Sequence, residues 1–354
     1  AGGGDELLAN PDDLLIPGDE GDAFGPYPLE ALDLDGATVP VVTTSGEYRY
    51  VGKLVVGFDK DGYIVAIDDG RSGPVRVATG TCNGTLPCDD AVMPDPVMQA
   101  MVVDPVEAYL ADLGDLVLAD SEVALDGLRS SVRSMETNEG NLIADSQLWQ
   151  ATQLAADFGV AEPDVALQNG GGIRNNTIIP AGPITELDTF GMVPFPNFVT
   201  VLENIPRNQF KEIMENAVAC TQGADFGTNP NCGSGRFAQV AGFSFAWSAS
   251  GTGMIIDGDG AVVTPGTRVQ EIILDDGTPI VSAGAVVPGP DLTVAIADFL
   301  ARGGDQYPFR GAPFSTLGVT YQQALAAYIV DGLLGVISAA DYPEGGEGRI
   351  TNLP

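Results

Sequence analysis

The chain contains no histidine. That absence removes the Ser-His-Asp triad, the Cys-His pair and every zinc or iron centre ligated through imidazole. Carboxylate-only metal sites and paired-carboxylate chemistry survive it. Cations are scarce as well: 15 lysines and arginines stand against 49 aspartates and glutamates, for a formal charge of −34. Such a surface repels a nucleic-acid backbone and offers no basic patch to release its counterions. Long apolar runs are also missing, since none approaches the roughly 18–20 residues that cross a bilayer. The opening Ala1-Gly2-Gly3-Gly4-Asp5-Glu6 has neither the basic nor the apolar region of a secretory signal. An exported protein would therefore have lost its signal or would begin internally here.

Cysteine is sparse, with four residues in two local pairs, Cys82 with Cys88 and Cys220 with Cys232. Each pair brackets a polar loop containing Gly, Asn and Pro. The spacing is wider than the Cys-x-x-Cys of a zinc site, so two disulfides and an oxidising compartment are expected. What is present is enough for a core: 354 residues, of which 44% are apolar and 7% aromatic, accommodate two ordinary domains or one large one. The acids are dispersed, with an early cluster at Asp12, Asp13, Asp19, Glu20 and Asp22 and a late one at Asp341, Glu344 and Glu347. This pattern suits a halophilic soluble protein or an ordinary acidic secreted one.

Residues 1–37 read as loop, being rich in Gly, Pro and Asp. Val39–Thr44 reads as a strand, and Tyr48–Asp59 as another that turns through Lys60-Asp61-Gly62 into Tyr63–Ile67. Asp95-Pro96 opens a helical pattern to Leu113, with Val97, Met101, Val102, Val106, Tyr109, Leu110 and Leu113 at helical spacing. Pro105 inside it implies a kink or two consecutive helices. Beyond Gly114 strands and helices alternate. The helices are Asn141–Phe158, Asn208–Ala219 and a last one marked by Tyr321, Leu325, Tyr328, Ile329 and Leu333. The strands are Asp164–Gln168, Phe198–Glu203, Val269–Leu274 and Leu292–Ala297. The fold class is α+β, with a layered mixed α/β C-terminal domain.

Three segments carry candidate chemistry. Asn169-Gly170-Gly171-Gly172-Ile173-Arg174 follows a strand, so its glycines let backbone approach a ligand and Arg174 adds a planar cation. Phe299 precedes Gly303-Gly304-Asp305, and Phe195 precedes Asn197; two aromatics can sandwich a planar base while Asn and Asp read its edge and sugar hydroxyls. Arg129 and Arg133 are four apart, a spacing that converges on one anion on a helix or tight turn.

Together with Gly140-Asn141-Leu142-Ile143-Ala144-Asp145, Pro194-Phe195 and Gly235-Arg236-Phe237, these segments occur in an order that resembles the C-terminal domain of 5′-nucleotidases, from about Leu116 to Thr351. That family includes periplasmic UDP-sugar hydrolases and cell-surface ecto-5′-nucleotidases. The resemblance implies that Phe195 and Phe299 stack on the nucleobase, Asn197 meets its edge and Asp305 binds the ribose. It places Arg133 and Arg174 on the phosphate side with Arg129 in support, Gly171 and Gly172 in the ligand-facing turn, and Asn169 near the catalytic centre.

It also implies a domain plan. Residues 1–92 would be a mostly-β remnant of the family's metallophosphoesterase domain, 93–114 a linker helix and 115–354 the substrate-binding domain, with Val39–Asp59 as the last hairpin of the first. A catalytic parent would use two divalent metal ions and hydrolyse nucleotide phosphomonoesters or related anhydrides. The last metal motif of the family, Gly-Gly-His-x-His, would fall at Gly2–Glu6, where Gly4 and Glu6 replace the histidines. No metal site is therefore expected in this chain, which alone should not turn over substrate. The expected partners are a nucleotide or nucleoside and the catalytic part upstream, with no nucleic acid and no membrane span. The expected location is extracellular, cell-surface or periplasmic. The competing expectation is a secreted structural or surface-assembly protein that reuses the fold without its chemistry.

Overall fold

Alternation of large and small apolar residues along the central strands dictates how the C-terminal unit layers. A computed structural model describes residues 6–21, 23–46, 48–78, 90–221, 232–257 and 260–354. In it, a five-stranded mixed sheet runs in the order Ala238–Ala241, Val165–Asn169, Leu292–Ala297, Phe198–Ile205, Ser315–Thr320. Val165, Leu167, Val294 and Ile296 point to one face and Ala166 and Ala295 to the other, the period of two that a sheet buried on both sides requires. The alanine face receives the long helix Asn138–Phe158 through Leu142, Ile143 and Ala151. Small residues there let the helix approach closely. At its first turn a Cβ on Gly140 would lie 2.4 Å from the Gln239 side chain.

The bulky face packs on helix Arg207–Ala217, through Phe210, Ile213 and Met214, and on a second sheet. That sheet orders Ala285–Val286, Pro279–Ser282, Val269–Leu274, Phe243–Ser248, Ile350–Leu353 and contributes Phe243, Phe245 and Trp247 to the same core. A small sheet of Gly182–Thr185, Val117–Ser121 and Val336–Ile337 belongs to the same unit. The long helix is capped by Thr137, whose side chain accepts from the Gly140 amide, and stopped by Gly159 at φ 66, the left-handed residue that closes many helices. The mixed α/β architecture agrees with the expected fold class.

The chain divides into two compact units, Ala1–Glu107 and Ala108–Pro354. Several N-terminal expectations need correction. Residues 1–37 are not all loop: Leu7–Leu8 pairs with Ala23–Gly25, and Leu29–Leu32 pairs with Thr38–Val41. The alternation in Leu29–Leu32 is short and is masked by flanking Gly and Pro. Tyr48–Asp59 is two strands rather than one, because Tyr50–Lys53 pairs with Gly73–Arg76 and Val56–Phe58 with Ile64–Ile67. The predicted turn is present: Asp59 accepts from the amides of Asp61 and Tyr63, and Gly62 sits at φ 89.

The helix opened by Asp95, whose side chain accepts from Val97 and Met98, continues to Asp115 through a π-helical turn at Gln99–Val103. Pro105 stands in the first turn of the segment Asp104–Asp115, directly after that π-helical turn. The helical period holds, but Met101 and Tyr109 are exposed, and only Leu113 of the seven expected apolar positions is buried. Cys220 and Cys232 form the predicted disulfide. The Cys82–Cys88 pair and Gly2–Asp5 lie outside the described residues.

Candidate functional site

Strand polarity brings the sequence segments together. Val165–Asn169 and Leu292–Ala297 run parallel, so both end at the same edge of the sheet. Phe198–Ile205 and Ala238–Ala241 run against them and begin at that edge, with Val199 opposite Ala297 and Ala238 opposite Asn169. Gly170–Arg174, Phe195–Asn197, Gly235–Phe237 and Phe299–Tyr307 are thus loops at one edge, beyond the carboxyl ends of two parallel strands, where open α/β sheets bind ligands.

The Gly-rich turn is built for close contact with protein first. A Cβ on Gly170 would lie 2.2 Å from the Val132 carbonyl oxygen, and one on Gly172 would lie 2.2 Å from Gln168 Nε2. The Gly170 amide donates to the Phe237 carbonyl at 2.7 Å. Gly171 lies against Gly235, each notional Cβ within 3.3 Å of the other's Cα. Glycine is thus required here to seat three loops on one another, whereas the sequence pattern pointed to ligand approach.

Asp305 is held from two sides. Asn169 Nδ2 donates to its Oδ2 at 2.6 Å, and Asn216 Nδ2 donates to its carbonyl at 3.1 Å. Both Asp305, at φ 50, and Gln306, at φ 58, occupy the left-handed region, which costs a non-glycine residue energy and persists where surroundings enforce it. The enforcement comes from Arg236, which is buried and donates to Asn216 Oδ1 at 3.0 Å, to Gln306 Oε1 at 2.9 Å and to the Gly233 carbonyl. Burial lowers the basicity of Arg236, and Asp305 and Tyr307 oppose that shift. Sequence reasoning gives Arg236 and Asn216 no role. Gly235-Arg236-Phe237 is visible as a motif, but nothing marks Asn216 within its helix.

The aromatics are offered to solvent. Phe299 is 44% exposed and Phe195 39%, unlike the buried Phe210, Phe237 and Phe243. Phe299 lies over Gly304, where a Cβ would come within 2.5 Å of its ring. Phe195 is anchored by its amide, which donates to Tyr321 Oη at 3.1 Å. Burial pushes the Tyr321 hydroxyl up to about 12, so it stays protonated. Asn197 is half-buried and its carbonyl accepts from the Tyr321 amide. Tyr321, expected only as a position in the last helix, thus positions both. One face of Phe195 already carries the Arg174 guanidinium, 5.2 Å from the ring centroid.

Arg129, Arg133 and Arg174 converge. Arg129 lies in the short helix Arg129–Val132, Arg133 caps its end, and the Arg129 amide donates to Asn176 Oδ1 at 2.9 Å. Burial first, then the positive charges of Arg129 and Arg174, depress the basicity of Arg133, and Asp305 opposes them. The Arg133 Nε is buried without a hydrogen-bond partner. Among the described residues none of the three arginines forms an ion pair. A cavity of about 470 Å³ opens beside them, lined by Arg129, Ser130, Arg133, Ser134, Asn176, Cys220, Thr221 and Ser234. Among the described residues no cluster of three or more His, Cys, Asp or Glu is placed to hold a metal ion. The groups described therefore do not fit a two-metal centre.

Fold and site together define a mixed α/β domain whose loop edge gathers aromatics, an acid and converging arginines. The chain belongs to the family described as 5′-nucleotidase, C-terminal domain, which it matches over residues 117–311. It is 28% identical over 268 residues to the trifunctional nucleotide phosphoesterase protein YfkN of Bacillus subtilis (strain 168), covering 75% of this chain and 15% of that one. It is 24% identical over 290 residues to the 5′-nucleotidase of Homo sapiens, covering 80% and 43%. The crystal structure of a 5′-nucleotidase precursor from Thermus thermophilus aligns with a TM-score of 0.56 at 27% identity, covering 99% of this chain and 58% of that one. The chain thus spans less than half the length of these two curated relatives.

Proposed function

We propose that the C-terminal unit recognises a nucleoside or nucleotide, as the substrate-binding part of a 5′-nucleotidase-type phosphoesterase. The observation that carries the reading is the trio Arg129, Arg133 and Arg174, without ion pairs among the described residues in a chain of formal charge −34. Carboxylates are abundant enough to neutralise surface arginines. Three guanidinium groups this close, two of which depress the basicity of Arg133, form a site that waits for an anion. Phe195 and Phe299 supply planar apolar faces for a base, with Asn197 at its edge, and the fixed carboxylate of Asp305 suits vicinal sugar hydroxyls. Asn169 then acts by positioning Asp305 through the 2.6 Å bond.

In the same reading, residues 1–92 belong to a metallophosphoesterase-type domain, 93–114 link it, and two divalent ions are held by residues other than those described. Hydrolysis of a phosphomonoester belongs to the larger protein, and this chain by itself binds without turnover. The disulfide at Cys220–Cys232 and the acidic surface suit an extracytoplasmic setting.

Calorimetric titration of the 354-residue chain with adenosine and AMP tests the reading. Binding is expected, and Phe299→Ala should weaken it by roughly 1–3 kcal/mol, the scale of base–aromatic stacking. Unchanged affinity in a folded Phe299→Ala protein, or no binding of either ligand, would refute it.

A further inference from the structure

The face of the main sheet beneath helix Asn138–Phe158 carries Ala166, Ala241 and Ala295. Beside them stand two fully buried glutamines, Gln168 and Gln239, opposite each other on adjacent antiparallel strands. An amide in such a layer costs free energy unless its groups are paired, and these two find their partners in different directions. Gln168 Nε2 donates to the Asn169 carbonyl at 2.9 Å and to Asn169 Oδ1 at 3.1 Å, while its Oε1 accepts from Gln147 Nε2 at 2.5 Å. A donor against Asn169 Oδ1 decides which way that amide faces, and Nδ2 is turned onto Asp305 Oδ2 at 2.6 Å. The reverse orientation would set an amide oxygen against a carboxylate. Gln239 Nε2 donates instead to the carbonyls of Val132 and Met135, at 3.0 and 2.8 Å, and its Oε1 accepts from the Thr137 amide at 3.2 Å. Those bonds bracket Arg133. Two glycines make the room: a Cβ on Gly172 would lie 2.2 Å from Gln168 Nε2, and one on Gly140 would lie 2.4 Å from Gln239 Cδ.

We propose that Gln168 and Gln239 are positioning residues for separate halves of the ligand, Gln168 for the sugar through Asn169 and Asp305, Gln239 for the phosphate through Arg133. The amides of Gln147, Gln168 and Asn169 form one directed chain that engages Asp305 Oδ2 and leaves Oδ1 to accept a sugar hydroxyl. On the other side, helix Arg129–Val132 is only four residues long, and the carbonyls at a helix end lack partners of their own. Gln239 supplies that donor and so fixes the backbone from which Arg133 projects. The inference rests on the nucleotide reading above and assigns the geometry of that site to two residues buried behind it.

The test is calorimetry on the full chain with adenosine, 2′,3′-dideoxyadenosine and AMP, which gives two affinity ratios. Adenosine over its dideoxy analogue reads the sugar contact, and AMP over adenosine reads the phosphate contact. Each ratio is expected to be about tenfold or more in the unaltered chain, the worth of a hydrogen bond to a charged group. Gln168→Met keeps the length of the side chain and removes its hydrogen bonds. It should bring the sugar ratio close to one and leave the phosphate ratio in place, and Gln239→Met should do the opposite. Gln147→Met, one bond further back, should lower only the sugar ratio, and part of the way. Where a methionine variant fails to fold, Gln168→Glu or Gln239→Glu, which keeps the shape and loses the amide donors, should give the same pattern. Both ratios falling together, or neither falling, would overturn the assignment and leave the nucleotide reading intact. So would a ratio near one in the unaltered chain, or failure of both variants at one position to fold, because that glutamine would then serve stability alone. Failure of adenosine and AMP to bind the unaltered chain would remove the nucleotide reading and this inference with it.

Discussion

Replacing Glu139 by glutamine should abolish a steep loss of stability between pH 5 and 8. Glu139 lies in the first turn of the long helix and is fully buried. Asn175 Nδ2 donates to its Oε2 at 2.9 Å, while Glu139 Oε1 and Asn175 Oδ1 are both buried without partners. Those two oxygens lie close together, because a Cβ on Gly127 would sit 2.4 Å from one and 2.3 Å from the other. A proton on Oε1 would supply the donor that both partnerless oxygens lack. Burial, assisted by Asp126 and Asp188 and opposed by the Asn175 hydrogen bond, pushes this carboxyl up to about 8 from its ordinary 4.5.

The sign follows from proton counting. Between those two values the folded protein holds a proton that the unfolded chain has released, so stability falls as pH rises, by about 1.4 kcal/mol per pH unit. The contribution is complete below the unfolded value near 4.5 and gone above about 8. From pH 5 to 8 the loss is about 4 kcal/mol. Glutamine reproduces the neutral acid, its amide donating to Asn175 Oδ1. Urea denaturation midpoints at 25 °C, read at constant slope, should therefore agree to about 1 kcal/mol at pH 5. They should then diverge in favour of the mutant as pH rises. Self-repulsion of the acidic surface is common to both proteins and cancels in the difference. Parallel pH curves would refute a protonated Glu139, and so would a mutant less stable at pH 5 by about 3 kcal/mol, the cost of breaking a charged buried pair.

Three further substitutions test the packing of the C-terminal unit. Gly170→Ala drives a Cβ to 2.2 Å from the Val132 carbonyl and 3.2 Å from Arg133 Cα, backbone that has no rotamer to yield. It should cost about 1–3 kcal/mol in thermal or urea unfolding and weaken AMP binding by displacing Arg133. Gly233→Ala, with nothing within 4 Å among the described residues, should change stability by less than about 0.5 kcal/mol. Arg349→Met strands Asp145, which otherwise takes two bonds from that guanidinium at 2.6 and 2.9 Å and one from Tyr342 at 3.0 Å. Both side chains keep 19% exposure, so the cost should fall at the low end for a buried pair, about 3 kcal/mol by urea denaturation. An unchanged midpoint would mean that water replaces the arginine.

Composition and local pattern determined much of this protein. Strong periodicity located Asn138–Phe158, Val165–Asn169, Phe198–Ile205 and Leu292–Ala297 to within a few residues, because each buries a face whose spacing is written in the chain. The Cys220–Cys232 bridge was legible from local spacing. The candidate residues were legible as unusual types: glycines in a row, exposed-type acids beside aromatics, arginines in a chain that has few.

What the chain pattern left open was everything set by contacts between distant segments. The pairing of Leu29–Leu32 with Thr38–Val41 depends on partners too short to show a period. The exposure of Met101 and Tyr109 could not be read from spacing, since an amphipathic stripe states which side is apolar and not whether anything covers it. Above all, the parallel run of Val165–Asn169 beside Leu292–Ala297 decided that Asn169 and Asp305, 136 residues apart, would meet at 2.6 Å. Strand polarity is a property of the sheet and not of either strand. That is why the sequence could place Arg236 only in a motif and Asn216 and Tyr321 only in helices, while the assembled edge made them the residues that hold the site.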